Sequence, residues 1–530
     1  MTPKKNIPTK TDLVQLQKLY KTDEKIGERL GGVPAYLVAY WRRKKNVPKY
    51  SLPKFSDREI SALWERFGDD EKCGLELGIS KAAFYNWRRR YGIREKPAFL
   101  KLEQLEFEFP GLRNAPHAHS LYGEQTIAQK IIARAAGKEN VKVGSTVEVE
   151  PDLVSASVDS NGVMDEFLKI GQGYVWNAGK IVITDSGYSS SNGSPSVGEF
   201  VRRQGIKTVY DLRDGHCSQV LLERGHIRPG QFIIGTEASV TALGCLGSLA
   251  FVSGAIETAR LWADGSTEVV VPASIRIELN GRRTRGVYTR DVMAGLIKRL
   301  ENVDFTNKVI EFSGLTVSQL NVSERFTLCY LARLVGAKAA ICPYNSTVRR
   351  YLTGRASSGF VPVQADKNAI YEQTITVDIG DFKPTLYTVG QKLKVQTVAE
   401  VEDHSIRQVV LGCCANGRFD DLRVAADILK GNKVHRDCRL FICPASRMVY
   451  LEALKKGLIR VFVEAGAVVM NPGGEMQLLN DDTLLSKSVP TLSTSINDFK
   501  GKEVYYCSPA TAAASAINAV VSDPSRFVRK

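Results

Sequence analysis

Leu440-Phe-Ile-Cys443, then residues 446–456, then Ile459-Arg-Val-Phe-Val463 form the stretch that sets the fold class. The first run is apolar and of strand length, the middle segment has helical periodicity, and the last is a β-branched run read as another strand. The same alternation extends outward. Helices are predicted over residues 291–300, 324–335 and 420–430. Between and before them lie Lys180-Ile-Val-Ile-Thr184, Gly230-Gln-Phe-Ile-Ile-Gly235 and Lys308-Val-Ile-Glu-Phe312. Strands alternating with helices predict α/β units with buried sheets from about residue 121 onward.

The chain has 530 residues, 43% of them hydrophobic and 24% charged. That composition excludes a mainly disordered chain, a collagen and a coiled-coil rod, and the length suits several domains with large cores. The most apolar stretch, residues 243–256, is broken by Gly244, Gly247, Ser248, Ser253 and Gly254, so no membrane span is expected. No apolar stretch follows the basic N-terminus, so no secretory signal is expected. Ten cysteines are scattered through apolar surroundings without a CxxC, which predicts buried, reduced thiols in a cytoplasmic protein and no zinc site.

The net charge of +15 is unevenly spread. Residues 1–100 hold 22 Lys/Arg and 12 Asp/Glu of chain totals of 72 and 57. Within them lies a repeat. Leu19 to Val33 leads to Trp41-Arg42-Arg43-Lys44, and Arg66 to Ile79 leads to Trp87-Arg88-Arg89-Arg90. Each copy reads as three short helices. In the second, Ile60, Leu63, Trp64 and Phe67 have helical spacing, Gly78 supplies a turn, and Ser80 caps a basic helix. This is a helix-turn-helix pattern, in which the last helix enters the major groove. DNA is therefore the expected partner. Its candidate contacts are Arg42, Arg43, Lys44, Lys81, Tyr85, Asn86, Arg88, Arg89 and Arg90, with Trp41 and Trp87 in the core. A protein-docking bundle is the alternative. Residues 98–120 read as a linker, with His117 and His119 exposed on it.

Several motifs of the α/β region, taken in order, resemble the large subunit of 3-isopropylmalate dehydratase, in the aconitase family. They are Gly225-His-Ile-Arg-Pro-Gly230, Ile310-Glu-Phe-Ser-Gly314, Gly412-Cys-Cys-Ala-Asn-Gly-Arg418, Pro444-Ala-Ser-Arg447, Asn471-Pro-Gly473 and Ser508-Pro-Ala-Thr-Ala-Ala-Ala-Ser-Ala-Ile517. The resemblance covers roughly residues 120–525. It implies three α/β/α domains around a cleft, here placed at 121–280, 281–390 and 391–530, behind an all-α tandem helix-turn-helix region at 1–97. It also implies a separate small subunit and a [4Fe–4S] cluster held by three cysteines.

The departures from that family shape the functional expectation. Cys414 is the only retained cluster position. Where two more thiolates are expected the chain reads Pro472-Gly473-Gly474-Glu475-Met476-Gln477, so the cluster is expected to be absent. Cys413, Cys438 or Cys443 would serve instead only in a rebuilt site. The family's Asp-Ser-His-Thr becomes Glu237-Ala238-Ser239-Val240, an Asp-His becomes Asp185-Ser186, and a histidine after Cys217 becomes Ser218. Leu315, Leu334, Tyr344 and Lys383 stand at positions that are otherwise acidic. Ser495-Ile496-Asn497-Asp498-Phe499 lacks the arginine of its counterpart. Dehydration needs a base and a Lewis acid, and both are missing. Asn416, Arg418, Ser446 and Arg447 survive as a candidate carboxylate site, the arginines offering a bidentate fork.

The expectation is thus a non-catalytic, regulatory, DNA-binding protein whose body senses a small carboxylate or forms a homo-oligomer. The alternatives are a diverged hydro-lyase needing a small subunit and an assembly protein. His216 beside Cys217 suggests a Cys–His pair, without a third orienting group.

Overall fold

The computed structural model describes residues 8–49, 55–67, 69–93, 124–157, 160–185, 197–356, 359–389, 393–472, 489–495 and 504–528. The chain divides into two compact units, residues 1–119 and 120–530. The linker segment with His117 and His119 lies outside the described residues.

The first unit holds two three-helix modules. Helices α1 (Lys10–Tyr20), α2 (Asp23–Arg29) and α3 (Ala35–Lys44) form one, and α4 (Asp57–Phe67), α5 (Asp70–Glu76) and α6 (Lys81–Arg90) the other. Short polar side chains start most of them, while Pro34 precedes Ala35–Lys44 without a side-chain cap. The Thr9 hydroxyl accepts from Asp12 N and Asp12 in turn accepts from Thr9 N, while Ser80 accepts from Ala83 N at 3.2 Å. Leu13, Ile26, Val33, Val38, Trp41 and Val47 form the first core. Ile60, Trp64, Cys73, Ile79 and Phe84 form the second, with Trp87 packed against it. Gly27 and Gly74 let each second helix approach the turn before the third. A Cβ there would stand 2.0 Å from Val33 O or 2.8 Å from Ile79 O.

Among its described residues the second unit has four sheets: an antiparallel pair, Thr146–Val149 with Thr267–Val270, and three larger sheets rich in parallel pairs. One has five strands in the order Thr208–Asp211, Ile181–Asp185, Leu153–Ala156, Phe232–Gly235, Leu249–Val252, all parallel. Another runs Ala339–Ile341, Val309–Ser313, Ser274–Asn280, Gln373–Asp378, also all parallel. The third has seven strands. Leu393–Thr397 and Thr385–Val389 join antiparallel to Val504–Cys507, after which Thr491–Ser493, Gln408–Gly412, Arg439–Cys443 and Val468–Val469 continue in parallel. Central strands such as Leu153–Ala156 and Gln408–Gly412 are buried at every position, as parallel strands covered on both faces must be.

One expected strand is a helix. Residues 459–463 belong to the helix Leu458–Ala465. Ile459, Phe462 and Ala465 are buried at helical spacing, while Val463 is exposed. Gly457 and Gly466, both at positive φ, bound the segment. Burial of that stripe outweighs the β-branched preference of Val461 and Val463. The helices expected over 291–300, 324–335, 420–430 and 446–456 occur as Thr289–Arg299, Val322–Leu331 with a 3-10 turn at Ala332–Val335, Phe419–Leu429 and Arg447–Lys455. All ten cysteines are free and buried. Among the described residues no helix is long and apolar enough to cross a membrane.

Candidate functional site

The loop after strand Gln408–Gly412 is shaped by close backbone approach. A Cβ on Gly412, at φ +120, would meet Cys443 O at 2.0 Å, and one on Gly417 would meet Cys413 N at 2.4 Å. Cys413, itself at φ +61, opens the short helix Cys413–Asn416. Ala445 N donates to Gly417 O at 2.8 Å, which sets the 444–447 loop beside it. Arg418 N donates to Asp421 Oδ2 at 3.1 Å and starts the helix Phe419–Leu429.

The four candidate carboxylate ligands divide between two networks and the surface. Asn416 accepts from Arg290 Nη1 at 2.8 Å and donates to Asp421 Oδ1 at 2.9 Å. Arg418, 4% exposed, donates through Nη2 to Thr327 Oγ1 at 2.7 Å and pairs with Asp421 at 3.1 Å, its guanidinium 4.4 Å from the Phe326 ring. Its Nε and Nη1 are buried without a hydrogen-bond partner. Burial pushes the Asp421 carboxyl up, and the Arg418 charge opposes this. Ser446 belongs to the second network. It caps the helix Arg447–Lys455 and donates to Glu223 Oε1 at 2.7 Å. Burial raises the Glu223 carboxyl. Arg447 is exposed. The expected fork of Arg418 with Arg447 is therefore corrected, because one edge of the Arg418 guanidinium is already spent on Asp421 and Thr327.

Cys414 is buried, with the Tyr330 and Ser495 hydroxyls each 3.3 Å from its sulfur. Burial drives Tyr330 well above its usual pKa, so a neutral hydroxyl faces the thiol. Cys443 and Cys438 are both pushed up to about 12 by burial and are neutral thiols. The segment 473–477 and residues 496–499 lie outside the described residues, but Gly474 and Gln477 supply no thiolate whatever their placement. One thiol flanked by two hydroxyls does not fit a cluster that takes three thiolates.

Two of the positions expected to have lost catalytic histidines, 218 and 239, meet in space, while Ser186 lies outside the described residues. The Ser218 and Ser239 hydroxyls hydrogen-bond to each other, fully buried. Beside them His216 Nε2 lies 2.6 Å from Glu237 Oε1, and Ser157 donates to Glu237 Oε2 at 3.1 Å. Burial would raise Glu237, but His216 and the Ser239 and Ser157 hydroxyls together hold it below its usual value. The Cys–His pair is corrected. His216 turns to Glu237, while Cys217 lies 3.3 Å from Ser155 Oγ and burial pushes it up to about 12. No sequence signal pointed to Tyr330, Thr327 or the His216–Glu237 pair, because their partners are brought in by distant elements.

In the helical unit two of the nine candidate DNA contacts are corrected. Arg42 is buried, donating from Nε and Nη2 to Asp23 at 2.9 Å and from Nη1 to Val47 O at 3.2 Å. Arg88 repeats this with Asp70 at 2.9 and 3.0 Å and with Ile93 O at 2.8 Å, stacked 3.9 Å from the Trp64 ring. Both are frame residues, since a guanidinium fork matches a carboxylate and a free carbonyl at once. Arg43, Lys44, Lys81, Tyr85, Asn86, Arg89 and Arg90 are exposed. Tyr36 and Tyr40 share that outer face at 73% and 55% exposure. The sequence reading passed over them, although their four-residue spacing on a helix was a usable signal.

The family model described as aconitase family (aconitate hydratase) matches residues 195–392 and 387–519. A 3-isopropylmalate dehydratase large subunit of Methanopyrus kandleri is 36% identical over 418 residues, 76% of this chain and 100% of that protein. A probable methanogen homoaconitase large subunit of Methanothermobacter thermautotrophicus is 32% identical over 423 residues, 76% and 98%. The crystal structure of Thermococcus kodakaraensis aconitase X (holo-form) superposes with a TM-score of 0.40 and 13% identity, covering 66% of this chain and 83% of that one. A likeness that loose bears no argument about the site. The family match and the full-length similarity to dehydratase large subunits agree with the motif order, and the chain belongs to the aconitase family.

Proposed function

We propose that this chain is a DNA-binding protein whose aconitase-fold body no longer dehydrates a hydroxy acid. The observation that carries it is the repeated frame of the first unit. Two copies of one module commit an inner arginine to structure and leave Arg43 and Lys44, or Arg89 and Arg90, exposed in the last turn of the third helix. Exposed basic residues there suit phosphate contacts, and the preceding turns suit base edges. In the body, Arg418 Nε and Nη1, buried without partners, support a small anionic ligand such as a carboxylate, and a regulatory role follows if that ligand alters DNA affinity. The test is DNA binding by the full chain against salt. Arg43→Glu with Arg89→Glu is expected to abolish it and to lower the steepness of the salt dependence. Unchanged binding would refute the reading.

A second reading is a diverged hydro-lyase acting with a small subunit. Similarity along the whole length of dehydratase large subunits favours it. It requires metal chemistry from donors other than the family's three thiolates. Anaerobically purified protein should then carry iron and sulfide and hydrate a substrate when its small subunit is added. Protein free of iron and without activity would leave the first reading.

A further inference from the structure

We infer that the two modules read two unlike DNA subsites, the second through Asn86 and Tyr85 and the first through Tyr36 and Tyr40. This rests on the reading that the unit binds DNA. The chain supplies its own comparison, because the two third helices, Ala35–Lys44 and Lys81–Arg90, correspond residue for residue in sequence. The polar frame is kept. Asp23–Arg42–Val47 corresponds to Asp70–Arg88–Ile93 in both the ion pair and the carbonyl contact. Val38 corresponds to Phe84 in the core, and Asn46 to Gly92, both at positive φ. The outer last turn is kept as well, Arg43-Lys44 matching Arg89-Arg90, all exposed.

The outer face of the preceding turns is not kept. Ala35, Tyr36, Ala39 and Tyr40 stand where the second copy has Lys81, Ala82, Tyr85 and Asn86. Tyr36, Tyr40, Tyr85 and Asn86 are all exposed, and none of them packs in either core. Fold therefore does not dictate these side chains. In a docked third helix these N-terminal and middle turns face base edges, while the basic last turn serves the backbone. A shared last turn with a divergent reading face means common phosphate anchoring and different base preference. An asparagine carboxamide donates to adenine N7 and accepts from adenine N6, which no tyrosine can do. The tyrosines offer one hydroxyl each and a ring face for the thymine methyl.

The experiment is selection of duplexes from a randomised library by the full chain, repeated with three variants. The expected wild-type site has two different subsites, one containing an adenine. Asn86→Ala should relax preference at that adenine by roughly 5- to 150-fold and leave the other subsite intact. Tyr36→Ala with Tyr40→Ala should do the converse. Lys81→Ala, Ala82→Tyr, Tyr85→Ala and Asn86→Tyr combined should make the two selected subsites alike. Two identical subsites, or DNA binding without sequence preference, would overturn the inference while leaving DNA binding in place. Failure of the unaltered chain to bind any duplex would overturn the DNA reading itself, and the inference with it.

Discussion

The helical unit and the α/β body each have a frame, but they differ in what that frame surrounds. In the repeat, the buried Asp–Arg pairs are the same in both copies, and what varies is an exposed face where substitution costs nothing in folding. In the body, the glycine-shaped loop at 412–418 lies among buried polar groups. Tyr330 faces Cys414, and two buried serines bond to each other beside His216 and Glu237. A solvent-facing surface changes specificity cheaply. A buried site must pair every polar group it holds, so its side chains form hydrogen-bonded sets.

The largest test of this contrast is Arg88→Ala. It removes a buried fork that satisfies Asp70 and Ile93 O together and packs on Trp64. Stranding one partner of such a pair costs about 3–5 kcal/mol, enough to unfold a module with so small a core. Arg89→Ala, one residue on and exposed, should stay within about 0.5 kcal/mol. Urea titration followed by tryptophan fluorescence separates the two. Equal effects would show that Arg88 is not a frame residue.

A smaller effect concerns the body's own frame. Asp291 is fully buried, accepting from Tyr288 N at 2.8 Å and Thr385 N at 2.9 Å, and burial pushes its carboxyl up from 3.8 to about 7. Between those values the folded chain holds a proton that the unfolded chain has released. Its contribution to stability is therefore full below pH 3.8 and declines as pH rises toward 7. Asp291→Asn keeps an acceptor but not two. It should cost about 1–2 kcal/mol at pH 4 and less above pH 7, flattening the profile in thermal unfolding across that range. A cost that grew with pH would contradict this.

The legible parts of the sequence were those in which a residue acts through its neighbours in the chain. Ser80 at a helix start, Gly78 in a turn and the apolar periodicity of residues 60–67 act locally, and motif order carried the family. Residues 459–463 misled because a short β-branched run resembles a strand until its buried positions are known to be three apart. Arg42 and Arg88 were read as surface because Asp23 and Asp70, 19 and 18 residues away, are brought to them only by folding. Separations of 84 and 21 residues likewise hid Tyr330 from Cys414 and His216 from Glu237.

The smallest effect tests whether this buried serine pair is merely filler. Ser218 is wholly buried, and its partner Ser239 is also within reach of Glu237. In Ser218→Ala, Ser239 loses one hydroxyl partner but can turn wholly to the carboxylate. The loss should be about 1 kcal/mol or less, smaller than the usual penalty for an orphaned buried hydroxyl. Ser239→Ala should cost more, because it removes a donor that helps to hold the Glu237 carboxylate ionised beside His216. If the pair is filler, the two costs appear only in unfolding, and DNA affinity is untouched by either variant. Suppose instead that Ser218→Ala changed DNA affinity, or its response to an added small carboxylate, by tenfold or more. The serines would then be contacts of a ligand site rather than core filler.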